Sequence, residues 1–291
     1  MAESKTTKTA LALTRFPVGD KITALNLDVE GLTNEDLGRI NMEVMKLITT
    51  PENFHGDARL WAMPRVKALS GQAKEAPDGA VPGDLISDQD VLWQHKKKDS
   101  KPFEFVVAHL SISYKKFPPV GSTDYIRTVF RETYDKFVPA SEKRGQKGVA
   151  PLWSKTYSFV IVDRECKVHL LEFNKSALKN GAKLQDRLNG LRQLYDMLFA
   201  ATTEGRSNAK GDWRIVQTDP LFNDDVPPAM RVTAQIVGAG YEEFYQARLA
   251  EELEYYAQME DEASSMRRDG DIDITASDDS FDDDDSFDDD M

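Results

Sequence analysis

A run of aspartates at the carboxyl-terminal end limits how much of this chain can fold. Residues 269–291 hold twelve aspartates and no lysine, arginine or histidine, and the unit Asp-Ser-Phe-Asp-Asp-Asp occurs twice, at Asp279–Asp284 and Asp285–Asp290. Like charges repel and few apolar side chains are available for burial, so such a segment does not form a core. We expect a disordered polyanion that carries two aromatic side chains, Phe281 and Phe287. A role in solubility alone is the simpler alternative.

The net charge of −13 hides a strong asymmetry along the chain. The tail at 269–291 contributes −12 and residues 242–268 contribute −5, which leaves +4 for residues 1–241. Within that body, residues 93–155 hold thirteen lysines and arginines against six acids. A basic body joined to an acidic tail indicates that the body binds a polyanion and that the tail competes for it.

The composition excludes several classes of protein. The single cysteine, Cys166, cannot form an internal disulfide, and one Cys with four scattered histidines does not make a structural zinc site, so we expect no metal and no cofactor. No apolar run approaches the 18 residues of a membrane span, and residues 1–9 lack the apolar stretch of a secretory signal. We therefore expect a cytoplasmic protein, in the host cytoplasm if the chain is viral, with no membrane partner.

Alternation and turn residues predict several short strands with helices between them. The predicted strands are 9–14, 22–28, 59–69, 103–117, 157–162, 167–173, 213–217 and 230–237. The predicted helices are one after Thr33, 125–137, 176–201 and 241–262, whereas 70–90 and 141–155 are predicted loops. No strand–helix repeat with a glycine-rich phosphate loop occurs. The pattern favours the α+β class: an OB-like antiparallel β-barrel with inserted helices, and a disordered acidic C-terminal tail.

This pattern divides the chain into an OB-like nucleic-acid-binding body at 1–240, an acidic helix at 241–268 and a disordered tail at 269–291. In the body, cations alternate with aromatic residues between Trp93 and Tyr157. Recognition of single strands without sequence preference needs this combination, because cations follow the phosphates and flat rings stack on unpaired bases. No recognition helix or zinc module for reading duplex DNA is visible. The predicted DNA-binding residues are Lys96, Lys97, Lys98, Lys101, Tyr114, Lys115, Lys116, Arg127, Arg131, Lys143, Arg144, Lys147, Trp153, Lys155 and Tyr157. For any one of them, a role in the core or on a solvated surface is the alternative.

A basic, aromatic-rich body followed by this repeated Asp-Ser-Phe-Asp-Asp-Asp tail resembles the single-stranded-DNA-binding proteins of phage replication systems. The resemblance implies an OB fold and coating of exposed strands. We therefore expect a non-enzymatic protein of DNA replication, recombination and repair, and whether it forms homo-oligomers on the DNA stays open. The resemblance also implies that the tail recruits replication or recombination proteins. The residues expected to bind those partners are Phe281, Phe287, Asp288, Asp289 and Asp290.

Three other functions stay open at this point. An acidic tail that mimics DNA suits an interaction protein that blocks a DNA enzyme, and a strand-annealing recombination protein would share the basic body. The third is a Mg²⁺-dependent nuclease, because Asp163-x-Glu165-x-Lys167 lies beside an apolar strand and carboxylates with a lysine can hold Mg²⁺ at a phosphate. Charged residues are, however, common in turns such as this one.

Overall fold

A single nine-stranded sheet forms the centre of the protein in a computed structural model. The structure describes residues 27, 31–49, 63–71, 76–88, 90–116, 126–143, 152–208 and 211–269. The predicted strands at 9–14 and 22–28 lie outside these residues, apart from residue 27, and so does the tail from residue 270 onward. Within the described residues, no helix combines the length and apolar character needed to cross a membrane.

The middle of the sheet is an antiparallel meander of three strands. Strand β4 (Phe103–Lys116) pairs along most of its length with β6 (Trp153–Asp163), which turns into β7 (Val168–Asn174). The hairpin of β6 and β7 confirms the sequence prediction. Along β6, the residues of one face point into the barrel interior and those of the other face pack outside it, so nearly every side chain is buried.

The opposite edge of β4 is shared by two other strands. Its beginning pairs with β8 (Leu198–Asn208), which forms a long hairpin with β9 (Gly211–Leu221), and its end pairs with β5 (Arg127–Phe130). Strand β8 therefore returns beside β4 after a long connection from β7. Three meandering strands with a fourth that returns beside the first make a Greek-key arrangement.

Three short strands extend the sheet beyond β7, and the whole sheet is strongly curled. Strand β1 (Arg65–Ala68) lies parallel to β7, while β2 (Leu85–Ser87) and β3 (Asp90–Trp93) follow it in antiparallel order. The curl brings the β1–β2 side into contact with the β8–β9 side. There, Thr203 Oγ1 donates to the Gly83 carbonyl (2.5 Å) and accepts from Arg214 Nε (2.8 Å). The sheet is therefore a half-barrel whose two sides are joined by hydrogen bonds of side chains.

Apolar side chains and one helix fill the inside of this half-barrel. The rings of Phe105, Phe159, Phe173 and Phe199 are fully buried there. Two short helices, α2 (Arg131–Phe137) and α3 (Ala140–Lys143), follow β5. A short 3₁₀ turn (Lys175–Ala177) leads from β7 into the next helix, α4 (Leu178–Leu188). Leu184 and Leu188 of α4 complete this inner core.

A 42-residue helix, α5 (Pro228–Asp269), covers the outside of the sheet. Met230, Ala234 and Val237 pack against the outward residues of β4, β6 and β7. A Cβ on Gly238 would lie 2.4 Å from the Ala108 carbonyl oxygen, so this glycine lets helix and strand approach closely. Helix α1 (Asn34–Thr49), which begins after Thr33, packs on α5 in turn.

Several predicted elements differ from the structure. Residues 230–237 are helical rather than extended, and the predicted boundary at 241 falls inside α5. The predicted loop at 70–90 contains β2, the predicted helix at 125–137 begins with β5, and the predicted helix at 176–201 ends at Leu188 before β8 begins. The predicted loop at 141–155 contains the end of α3 and the start of β6. The α+β class agrees with the sequence prediction. In place of the predicted antiparallel barrel, the structure shows a curled half-barrel in which β1 and β7 pair in parallel.

Candidate nucleic-acid interface

An aromatic cluster lies at the far end of β4, where the chain enters β5. Pairing of β5 with β4 places α2 over this end, so that Tyr134 of α2 stacks on Tyr114 of β4 with centroids 3.7 Å apart and planes 4° from parallel. Trp153, the first residue of β6, meets Tyr134 edge-on at 5.7 Å. We call Tyr114, Tyr134 and Trp153 the aromatic cluster. Two of its residues, Tyr114 and Trp153, are predicted DNA-binding residues, and the fold brings them together.

Lysines surround the aromatic cluster. Lys143 Nζ lies 5.2 Å from the centre of the Tyr134 ring, and Lys116 Nζ lies 5.7 Å from that of Trp153. Lys155 Nζ lies 4.3 Å from the Tyr157 ring and donates to its hydroxyl (2.7 Å). Cations at these distances are attracted to the electron-rich faces of the rings. Positive charge and aromatic surface therefore occupy the same end of the sheet.

Glu142 ties this end of the sheet together. Its Oε2 accepts a hydrogen bond from Lys116 Nζ (2.9 Å) and another from Trp153 Nε1 (3.0 Å). These two bonds, the one from Lys116 first, lower the pKa of the Glu142 carboxyl. Glu142 thus fixes the position of one cation and one ring, a role that the sequence prediction missed because no local pattern marks it.

Exposed groups flank the aromatic cluster. Arg127 and Trp153 both pair with Lys116, so the residues that precede them, Ile126 and Leu152, lie at the same end of the sheet. Their side chains are 54% and 52% exposed, although apolar side chains of this size are usually buried. Arg127 is exposed as well. The sequence prediction did not include Ile126 or Leu152.

The predicted cations do not form a single group. Lys101 and the exposed Lys96, Lys97 and Lys98 lie between β3 and β4, next to the beginning of β4. A 14-residue strand is roughly 45 Å long, so these lysines are far from Lys116 at the other end. The structure therefore divides the predicted residues into a near-end group and a far-end group. The far-end group comprises Lys115, Lys116, Arg127, Arg131, Lys143 and Lys155.

Two of the predicted rings are buried. Trp153 is 6% exposed and Tyr157 is 5% exposed, and Tyr157 belongs to the inner core next to α4. Neither ring presents a face to a base in this conformation, which counts against stacking by either residue. Arg144 and Lys147 lie outside the described residues, as do Phe281, Phe287 and Asp288–Asp290.

Ion pairs neutralise part of the positive charge of the far-end group. Lys115 Nζ lies 3.5 Å from Glu172 Oε1, and Arg131 Nε lies 3.4 Å from Asp135 Oδ2. Both partners of the second pair are more than half exposed, so the pair contributes little to stability and can exchange for another anion. Arg131 is therefore accessible to a phosphate.

Asp163, one of the two carboxylates considered for a nuclease, has a structural role in the β6–β7 turn. Asp163 Oδ1 accepts the backbone N–H groups of Glu165 and Lys167, both at 2.9 Å, and Oδ2 lies 2.9 Å from His169 Nε2. The other ring nitrogen of His169 lies 3.0 Å from Ser87 Oγ, and both of these residues are 2% exposed. A cleft of about 700 Å³ opens beside this turn and includes Lys101. Among the described residues, no three His, Cys, Asp or Glu side chains are grouped to hold a metal ion.

Comparison with known proteins gives no parallel for this arrangement. No protein-family model, curated protein or solved structure matches the chain. The case for a function therefore rests on the connectivity of the sheet, on the far-end groups and on the charge of the tail.

Proposed function

We propose that this chain is a non-enzymatic single-stranded-DNA-binding protein of the phage type. Its body would be an OB-like barrel that coats exposed strands in replication and recombination. The connectivity supports this proposal, because an OB barrel is a five-stranded Greek-key barrel. Apart from the short β5, the strands β4, β6, β7, β8 and β9 come in this order along the chain, and they lie in the Greek-key order β7-β6-β4-β8-β9 around the curl. Helix α4, which lies between β7 and β8 along the chain, fills the interior of the curled sheet.

The single observation that carries the proposal is the position of the far-end group. It lies on the connection between β4 and β6, the first two strands of the Greek key, and the corresponding loop of OB folds contacts oligonucleotides. Exposed arginines, lysines over rings and the exposed Ile126 and Leu152 occupy this connection. Cations can follow the phosphates there while the exposed apolar side chains of Ile126 and Leu152 meet the bases.

The tail provides the second part of the proposal. Twelve aspartates in 23 residues carry the same kind of charge as a strand of nucleic acid, so they compete for the same cations when no DNA is bound. DNA displaces the tail, which then offers Phe281, Phe287 and Asp288–Asp290 to replication or recombination proteins. The tail thereby signals that the body is occupied.

The proposal predicts which cations matter. Arg131→Glu combined with Lys143→Glu should weaken binding of a labelled oligo-dT by at least tenfold, as fluorescence anisotropy would measure. The slope of log K against log salt should become shallower by about 0.7 for each phosphate that the variant no longer binds. Lys179→Glu with Lys183→Glu is the matched control, because it makes the same charge change at exposed residues of α4.

Two outcomes separate the alternatives. Equal weakening by the far-end and control pairs would contradict a specific site, since net charge alone would then govern binding. A wild-type body that binds no oligonucleotide would favour the DNA-mimic interaction protein. The variant Lys96→Glu with Lys97→Glu tests in addition whether the bound DNA strand continues along β4 to the near-end group.

A further inference from the structure

The second half of α5 lies on the segment that carries the exposed far-end residues. Tyr245 Oη donates to Glu132 Oε2 (2.7 Å), and the Phe130 N–H donates to Glu252 Oε1 (2.9 Å). The Tyr256 ring stacks on Phe137 at 5.8 Å. Burial raises the pKa of the Tyr256 hydroxyl, and the nearby Arg127 guanidinium opposes this shift. The body-side partners in these contacts belong to β5 or α2, so the helix covers this part of the far end. At the beginning of the same half, Glu242 Oε2 also lies 3.1 Å from Nε2 of the buried His109 of β4.

The two halves of α5 are held very differently. From Pro228 to Tyr241, seven residues are buried, and Met230, Thr233, Ala234 and Val237 have no exposed surface. Between 242 and 262, where all side chains are described, Leu249 at 9% is the one buried residue. Segments with few buried apolar contacts open at low free-energy cost. The second half of the helix can therefore leave the body while the first half stays.

A glycine marks the border between the two halves. A glycine inside a helix costs about 1 kcal/mol relative to alanine, so it usually has a structural reason. Gly238 has one, because a Cβ there would meet the Ala108 carbonyl. Gly240 has no neighbour within 4 Å of an added Cβ, so packing does not explain it. Its conformational freedom suits a hinge at the border between the two halves.

The covering segment has the chemistry of the ligand that it would exclude. Residues 242–262 hold eight acids and one arginine. Glu252 presents a carboxylate to a backbone N–H, while Tyr256 presents an aromatic ring to Phe137 and a hydroxyl to Arg127. A phosphate and a base of a DNA strand could make equivalent contacts. Bound DNA would in turn repel the acids of the helix.

We propose that residues 242–262 of α5 are a hinged cover, and that single-stranded DNA binds the β5–α2 surface beneath them after the cover turns away at Gly240. This inference rests on the proposed function and adds to it a binding surface and a competitor that belongs to the folded body. The acidic tail then competes with DNA for the cations that residues 242–262 leave uncovered.

Hydrogen exchange of the full-length protein tests the cover without any substitution. Saturating oligo-dT should increase amide exchange in residues 243–262 and leave 228–237 protected, because the first half of the helix stays packed. Unchanged or slower exchange in 243–262, measured with oligo-dT bound, would overturn the cover while the proposed function stands.

A matched pair of substitutions tests the same inference through affinity. Glu252→Ala removes the acceptor of the Phe130 N–H, whereas Glu254→Ala makes the same change at an exposed position. Glu252→Ala should tighten oligo-dT binding roughly three- to tenfold, which corresponds to the net effect of one typical intramolecular hydrogen bond. Glu254→Ala should stay within about twofold. Tyr245→Phe, which removes only the bond to Glu132, should also tighten binding.

The outcomes distinguish the two proposals. Equal affinities of the Glu252→Ala and Glu254→Ala proteins would overturn the cover, provided that the wild type binds oligo-dT. No binding by the wild type or by any variant would overturn the proposed function, and the cover with it.

Discussion

At the scale of single residues, the far end of the sheet depends on Glu142. Its carboxylate joins Lys116 at the end of β4 to Trp153 at the start of β6, and Trp153 packs against Tyr134. Removing an acceptor with two donors leaves both donors without their partner and lets the cation move away from the ring. One side chain on a short helix thus holds the aromatic cluster in place.

Glu142→Gln should lower the melting temperature at pH 7 by roughly 2–4 °C, the shift expected for about 1 kcal/mol in a domain of this size. The pKa of Glu142 is lowered in the folded protein, so its contribution is complete above the ordinary glutamate pKa of roughly 4.3 and is lost as the pH falls through the folded pKa. The difference between wild type and variant should therefore shrink in acid. Thermal melts from pH 7 down to about pH 3 measure it, and a constant difference would contradict the assignment.

At the scale of elements, α4 can complete the inner core because it lies very close to the sheet. A Cβ on Gly181 would lie 2.7 Å from Phe173 Cβ and 2.8 Å from a Tyr157 ring carbon. Next to it, Asn180 Nδ2 donates to the Val216 carbonyl of β9 (2.8 Å). The missing side chain of Gly181 and the buried hydrogen bond of Asn180 together determine how closely α4 approaches the sheet.

Gly181→Ala should destabilise the fold by about 1–3 kcal/mol, although alanine is the better helix former, because the added methyl overpacks the contact. Gly38→Ala in α1 is the control, since a Cβ there meets nothing within 4 Å. That substitution should stabilise the protein by up to about 1 kcal/mol. Urea unfolding of both variants measures the opposite signs, and stabilisation by both would contradict the close packing of α4.

The sequence predicted those elements whose signals are local. The β6–β7 hairpin follows from alternation around a turn, and α1 begins where Thr33 and Asp36 bond each other's backbone N–H groups. Residues 230–237 looked like a strand because they are rich in Val, Ile and Thr, but α5 lies between the sheet and α1 and buries most of its circumference there. Such burial removes the helical periodicity on which the prediction depended.

The sequence predicted which types of residue form the candidate site, but not how these residues are arranged in space. Alternating cations and rings identified most far-end residues, yet nothing local shows that β5 pairs with the end of β4 or that Lys96 and Lys116 lie at opposite ends of one strand. The long-range contacts of Glu142 and Tyr256 were invisible for the same reason. Pairing between distant segments decided which predicted residues share a surface.

At the scale of the whole molecule, opposite charges occupy different parts of the chain. The body carries +4, residues 242–268 carry −5 and the tail carries −12. Residues 270–291 could span up to roughly 70 Å if fully extended, which is longer than β4. If both proposals hold, two acidic segments compete with DNA: the cover on β5 and α2 by contact, and the tail by its charge.

The most direct test of competition between the tail and DNA is a salt titration of oligo-dT binding by the full-length chain and by a chain that ends at Arg268. We predict that the truncated chain binds oligo-dT more tightly, prefers it to duplex DNA, and loses affinity with log salt at a slope of about −0.7 per phosphate contacted. The full-length chain should show a flatter response at moderate salt, because salt weakens the competing tail as well. Equal affinities and equal slopes for the two chains would contradict the central claim that the tail and DNA compete for one cationic surface.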